Sequence, residues 1–295
     1  MNFLVIGHTV VDKVVDKEHH TSKPGGIFYS VVSLLSQVEP DDRIFLCTNM
    51  DSQNARIFTD VYDRVYKKFV QRVNSIPRVE LVIKESGERE ETYSEIADNL
   101  ILPETNLKRY DGILINMITG YDLSLSQLGT LRKNYNGLIY FDVHTLSRGI
   151  DKEFRRYFKR IKHFKKWAKY IDILQANESE MKTLSGKNEE YEIIKELISY
   201  GIKQIVITRA HKGASVFFKF GDSVNSVHGK AIQSKTFNKV GCGDVFGAVY
   251  FYNYIKNKNI LWALEQANLY AGVAATYSEV KDFVNLKRDV HERIS

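Results

Sequence analysis

The sequence predicts a single α/β domain with a mostly parallel central sheet, helices on both of its faces and a small β lid. Two patterns and the composition carry that expectation. Short apolar runs alternate with longer helix-period segments along most of the 295 residues, which is the signature of repeated strand-helix-strand units. The stretch around residues 78–96 departs from this rhythm and alternates in polarity with period two, as a half-exposed hairpin does. A content of 43% hydrophobic and 26% charged residues suits a chain that buries a substantial core, and 18 Gly against 4 Pro leave no linker-like stretch to divide it.

Taken in order, residues 3–6 read as a strand, 27–38 as a helix, and 44–46 and 113–115 as strands. Residues 138–141, 171–174 and 204–207 follow, each an apolar run succeeded by a polar loop and a helix-period segment. Near the end, 243–257 and 260–275 read as consecutive helices, the second opening Leu261-Trp262-Ala263-Leu264 and rich in Ala. Residues 78–84 and 92–96, joined by a Glu85-Ser86-Gly87-Glu88 turn, pair as a hairpin. With the strand-like residues 9–15 they form the lid, its strands at about 8–15 and 77–97, inserted in one domain spanning 1–295. In such a fold the ligands gather at the strands' carboxyl ends.

The net charge of +6 raises the question of an anionic partner. Its densest run, Arg155 to Lys169, is interleaved with Tyr157, Ile161, Phe164 and Ala168 at helical spacing, so the run reads as the solvated face of one helix. A nucleic-acid surface would instead spread basic patches and exposed aromatics over several elements. The anionic partner expected is therefore a small molecule, with no nucleic acid and no membrane. No apolar run approaches the roughly 18 residues of a spanning helix, and the first residues show no basic leader, so a cytoplasmic location is expected. Cys47 and Cys242 read as free thiols, and the adjacent His19 and His20 as solvated loop residues without metal-ligand spacing.

The strongest chemical signal is Asn238-Lys239-Val240-Gly241-Cys242-Gly243-Asp244-Val245-Phe246 at the start of a long helical pattern. Glycines let backbone approach a ligand, and a helix N-terminus presents unpaired N–H groups with a positive dipole end, a setting made for a phosphate. Asp244 falls in the first turn, where acidic residues are also simply favourable. The segment matches neither the dinucleotide fingerprint nor a P-loop.

With its neighbours the segment resembles the C-terminal signature of the ribokinase (PfkB) family of carbohydrate and nucleoside kinases, Asp-Thr-x-Gly-Ala-Gly-Asp-x-Phe, with Cys242 in place of the Ala. Other motifs of that family follow its order: Gly7 with Asp12, Pro24-Gly25-Gly26, Asn177-Glu178-Ser179-Glu180, and Thr208 to Gly213 for its Thr-x-Gly-x-x-Gly. The resemblance implies a ribokinase-like three-layer α/β/α fold and an ATP-dependent, magnesium-assisted kinase acting on a hydroxyl of a sugar or related polyol. Asp244 matches the catalytic base, and the N–H groups of Gly241, Cys242 and Gly243 match the anion hole, roles suited to a reaction that needs positioning and electrostatic stabilisation. Asp12, Gly25, Gly26 and Ser30 match the acceptor site. Asn177, Thr208, Gly213, Asn268 and Ala271 match the nucleotide site, and Glu180 the magnesium site, acting through water. Asn177 and Glu180 also read as a helix N-cap and its capping-box partner.

Three departures qualify the resemblance. Asn238 and Lys239 replace an Asp-Thr pair that helps bind a monovalent cation, so turnover is expected to depend on magnesium and hardly on potassium. Ala210 replaces a loop glycine, and Ser30 stands where the family often has a substrate-binding Asn. Asp142 and Arg148 sit in a segment similar to the family's Asp-x-Asn-x-x-Arg, as a site carboxylate and a phosphate contact. A nucleoside kinase, a non-catalytic sugar-binding or regulatory protein of the same fold, and a homodimer formed through the lid remain open alternatives at this point.

Overall fold

The computed structural model describes residues 1–16, 19–83, 89–232, 236–237 and 239–294, without the side chains of 14–16, 19–21, 81–83, 89–91 and 294. Asn238, the 85–88 turn and the side chains of His19 and His20 thus lie outside the described residues. In chain order the strands are β1 (Asn2–Ile6), β2 (Thr9–Asp16), β3 (His19–Gly26), β4 (Arg43–Met50), β5 (Tyr66–Arg72), β6 (Arg78–Ile83), β7 (Arg89–Glu95), β8 (Gly112–Asn116), β9 (Leu138–Asp142), β10 (Arg148–Ile150), β11 (Arg156–Phe158), β12 (Ile173–Asn177), β13 (Gln204–Thr208), β14 (Ala214–Phe220) and β15 (Ser223–Gly229). The helices are α1 (Phe28–Gln37), α2 (Thr59–Tyr62), α3 (Leu125–Asn134), α4 (Lys165–Ala168), α5 (Glu178–Met181), α6 (Glu190–Ser199), α7 (Cys242–Asn257), α8 (Ile260–Ala274) and α9 (Leu286–Ile294).

A nine-stranded sheet in the order β15-β14-β13-β12-β9-β8-β1-β4-β5 forms the centre. From β13 to β5 neighbouring strands are parallel, and β14 and β15 extend the sheet as an antiparallel hairpin. β1 shows why its sequence is apolar throughout: Phe3 and Val5 belong to the core shared with α1, α7 and α8, while Leu4 and Ile6 belong to the core shared with α3 and α6. The expected three-layer architecture is present. The lid is a second sheet, β3-β2-β6-β7, in which β2 pairs antiparallel with β3 and parallel with β6.

Most of the expected elements recur with small shifts of their ends, the run at 171–174 becoming β12 over Ile173–Asn177. The helix expected across Arg155 to Lys169 does not form. Arg156–Phe158 instead pairs antiparallel with Arg148–Ile150, and helix appears only at Lys165–Ala168. Phe154 and His163 have φ of 61° and 58°, which no α-helix accommodates, so the backbone turns out of helix on either side of β11. Phe164 and Ala168 are buried as the spacing implied, but Tyr157 is 49% exposed. This hairpin is tied to the lid: the Tyr93 N–H donates to the Phe154 carbonyl at 3.0 Å.

Candidate active site

Two features fix the start of α7. Gly241, its N-cap, has φ of 77°, and a side-chain carbon there would collide with the ring of Tyr29. Glycine is required on both counts. The Val245 N–H then donates to the Gly241 carbonyl at 2.8 Å, and Asp244 falls in the first helical turn. Its side chain is buried, with the Asn116 Nδ2 donating to Oδ1 at 2.5 Å. Burial pushes the Asp244 carboxyl from 3.8 up to about 7, helped by the nearby charge of Glu180 and opposed by the Asn116 hydrogen bond.

The groups around Asp244 come from strand ends brought level by register. Asn116 pairs with Asp142, Asp142 with Gln175, and Asn177 with Thr208. Gln175 is the tie between sheet and helix: its Nε2 donates to Asp142 Oδ2 at 2.7 Å and to the Gly243 carbonyl at 3.0 Å, while Tyr140 donates to its Oε1. A side chain at position 247 would crowd Gln175 Oε1, so Gly247 lets the helix come this close. Asp142 is buried and its carboxyl is pushed well above the usual range, first by burial and then by the charges of Glu180 and Asp244.

Asn177 and Glu180 form a reciprocal capping box at α5. Glu180 Oε2 accepts the Asn177 N–H at 2.9 Å and Oε1 lies 3.9 Å from Arg148 Nη2, so Arg148 meets a carboxylate here. Among the described residues, no set of three metal-ligating side chains could cage an ion. That suits magnesium, which is commonly held by one or two carboxylates together with waters and substrate phosphates. Glu180 and Asp142, two hard-oxygen donors in the same cavity, fit that role.

At the other end stands Asp12, buried on β2. A side chain at Gly25 would collide with the Asp12 carboxylate, and Gly26 turns the chain with φ of 65°. The guanidinium of Arg156 lies 4.1 Å over the Tyr93 ring, bonds to its hydroxyl and donates to Thr145 Oγ1 at 3.1 Å.

All of this encloses one cavity of about 230 Å³. Of the residues singled out in the sequence, Asp12, Gly26, Asn177 and Glu180 line it, with Thr208, Gly241, Gly243 and Asp244. Lys239 lines it too, beside Gly241. Gly25 lies behind Asp12, Ser30 holds Asn116 through a 3.4 Å hydrogen bond, and the Cys242 N–H donates to the Lys239 carbonyl at 3.5 Å. Gly213, Asn268 and Ala271 are not among the described residues that line the cavity. Gln175, Asn116, Arg156 and His144 escaped sequence reading. The first two had a usable signal, since each is a polar residue at the carboxyl end of an apolar strand, where ligands gather.

The three-layer fold with its small lid sheet is the ribokinase-like architecture expected from the motifs. Residues 149–285 match the sequence model described as pfkB family carbohydrate kinase. Among solved structures, a ribokinase from Thermotoga maritima superposes with a TM-score of 0.78 at 15% identity, covering 99% of this chain and 98% of that one. An Arabidopsis thaliana ribokinase complexed with ribose and ATP gives 0.77 at 14%, covering 99% and 97%. A pyrophosphate-dependent kinase in the ribokinase family, complexed with a pyrophosphate analog and myo-inositol, gives 0.77 at 17%, covering 98% of each chain. No curated protein sequence matches. The C-terminal part of the chain therefore carries the PfkB sequence pattern, and the whole chain carries the ribokinase fold.

Two outcomes are expected. The folded carboxyl of Asp244, at about 7, lies above its ordinary 3.8, so the fold is favoured while Asp244 is protonated and loses that contribution as pH rises from about 4 through 7. Asp244→Asn should then raise the melting temperature more at pH 8 than at pH 5; an equal gain at both would show that Asp244 titrates normally. Gly241→Ala, which sets a Cβ against the Tyr29 ring at a left-handed φ, should destabilise the fold by about 1–3 kcal/mol, read as a lower melting temperature; an unchanged melting temperature would show that the Tyr29 ring gives way without cost.

Proposed function

We propose that the protein transfers the terminal phosphoryl group of a magnesium-bound polyphosphate to a hydroxyl of a sugar or related polyol. The observation that carries this reading is the placement of Asp244: a buried carboxylate at the glycine-opened N-terminus of α7, lining one cavity with a second buried carboxylate, Asp12, from the lid. On this reading Asp12 accepts hydrogen bonds from acceptor hydroxyls, for which a carboxylate is a strong two-oxygen acceptor. Asp244, poised near neutrality by burial, takes the proton of the attacking hydroxyl. The N-terminus of α7 and Lys239 stabilise charge on the transferred group. Glu180 and Asp142 would hold the magnesium ion, which supplies charge neutralisation at the donor phosphates.

ATP, the donor expected from the sequence, and pyrophosphate both carry the phosphoryl group this reading needs. Relatives of the fold are described with each. A small polyhydroxylated acceptor fits the polar lining contributed by Asp12, His144 and Arg156. A non-catalytic binding protein would have little use for a buried, unstable carboxylate at position 244.

A screen of sugars and polyols for ester formation identifies the acceptor. With an accepted substrate, Asp244→Asn should reduce turnover by about 10²- to 10⁴-fold and spare donor affinity measured by calorimetry; near-normal turnover would remove Asp244 from the chemistry. Asp12→Ala should raise the acceptor KM with donor affinity unchanged, and a matching loss of donor affinity would place Asp12 elsewhere.

A further inference from the structure

We propose that His8 and Asp122 are a positioning pair: they fix the direction in which β2 leaves the central sheet and so the place that Asp12 takes in the cavity. The inference rests on reading Asp12 as the carboxylate that binds the acceptor. Neither His8 nor Asp122 is among the described residues that line the cavity.

The chain passes between the central sheet and the lid after β1, β3, β5 and β7. Three of these passages meet at His8. It is itself the link from β1 to β2, and its carbonyl accepts the Ile27 N–H at 3.0 Å, where the chain returns from β3 to α1. Its Nε2 stands 3.0 Å from the Asp98 carbonyl, just past the end of β7. A carbonyl only accepts, so Nε2 carries its proton toward it. On the other side the His8 N–H donates to Asp122 Oδ1 at 2.7 Å, and Nδ1 lies 2.7 Å from Thr119 Oγ1 and 3.3 Å from Asp122 Oδ1.

Asp122 fixes this cluster to the turn that follows β8. Its Oδ2 accepts the N–H groups of Thr119 at 2.9 Å and Gly120 at 3.1 Å, and its own carbonyl accepts the Leu100 N–H at 2.9 Å. Burial pushes its carboxyl up, but the charge and hydrogen bonds of His8, with the Thr119 N–H, prevail and hold it below the usual range. Both side chains are wholly buried, so a bond lost here leaves a polar group unpaired away from solvent. The same turn carries Ile118 to the cavity wall.

Leverage makes the pair matter to the acceptor. Asp12 is four residues along β2 from His8, about 13 Å at about 3.3 Å per residue, so a tilt of about 5° at His8 moves Asp12 by about 1 Å. A misplacement of about 1 Å is enough to cost an enzyme about 10²-fold. Lys239, Gly241 and Gly243 reach the cavity from the start of α7, a separate segment, so the donor side should be spared.

The test uses the full chain with magnesium, ATP and diphosphate as donors, and an accepted sugar or polyol. His8→Asn keeps an amide N–H near the place of Nδ1 but falls short of the Asp98 carbonyl, and His8→Gln does the reverse, so each retains part of the cluster. Each should raise the acceptor KM at least tenfold, with kcat and the donor affinity from calorimetry within twofold of the parent protein. Hydrogen exchange should quicken in β2 and β7 but not in β8 and β9. A lower melting temperature with an unchanged acceptor KM would show a merely structural role and overturn the inference, and so would an equal loss of donor affinity. Should one variant not fold, the other decides; should neither fold, Thr119→Val, which removes only the hydroxyl that meets Nδ1, carries the same expectations. If the parent protein forms no ester with any acceptor, the kinase reading falls and the exchange pattern alone decides the positioning role, which equal quickening in β8 and β9 overturns.

Discussion

The site depends on keeping Asp244 out of water while leaving it able to ionise. Burial alone would hold its carboxyl protonated, and the neighbouring charge of Glu180 acts in the same direction. Against these stand the Asn116 amide and the N-terminal end of α7, both of which favour the anion. The balance places the group near neutrality. The same crowding makes Asp142 hard to ionise, since two other carboxylates lie close by. Asp142, Glu180 and Asp244 line one cavity and act on one another's affinity for protons, so a substitution at one of these carboxylates changes the others.

That balance is set by geometry that no single element provides. Asn116, Asp142 and Gln175 meet because three parallel strands end level. Gln175 spends both protons of its amide on holding the sheet to α7, one on Asp142 and one on the Gly243 carbonyl, and its oxygen receives the Tyr140 hydroxyl. A buried amide satisfied on both ends is rigid, because any shift leaves a polar group unpaired at about 1–3 kcal/mol. Gly241 and Gly247 allow the helix to approach closely, the first against Tyr29 and the second against Gln175. The helix start is thereby fixed against the strand ends.

What the sequence disclosed and what it hid follow from this construction. Asp244, Gly241 and Gly243 were legible because a helix N-terminus is a local event with a local signature. The parallel core was legible because strands buried on both faces read as continuous apolar runs, as in Phe3 to Ile6. Asn116 and Gln175 stayed hidden because strand register, a property of distant segments, decides which polar strand-end residues face the helix. The segment from Arg155 to Lys169 misled because Phe164 and Ala168 obey a helical period that Tyr157 satisfies only in spacing; its pairing with Gly149 across β10 and β11 overrides it. Gly213, Asn268 and Ala271 carry the motif pattern and are not among the described residues that line the cavity.

The two ends of the cavity are closed by different kinds of matter, and that difference bears on how the site can change. Around Asp12 the walls are side chains from separate elements: Val79 on β6, Ile118 after β8, and Arg156 on β11 resting on Tyr93 of β7. Each can be exchanged with modest disturbance, because volume-conserving swaps in such walls cost little. Beyond Thr208, Gly213 is set against the Gly229 carbonyl across β14 and β15, and Gly229 against the Leu264 and Asn268 side chains of α8. A side chain at either glycine would meet atoms already packed, so that end resists substitution at the glycines themselves. The Asp12 end of the cavity is accordingly the more open to point substitution, whereas the Thr208 end is held by the packing of a hairpin on a helix.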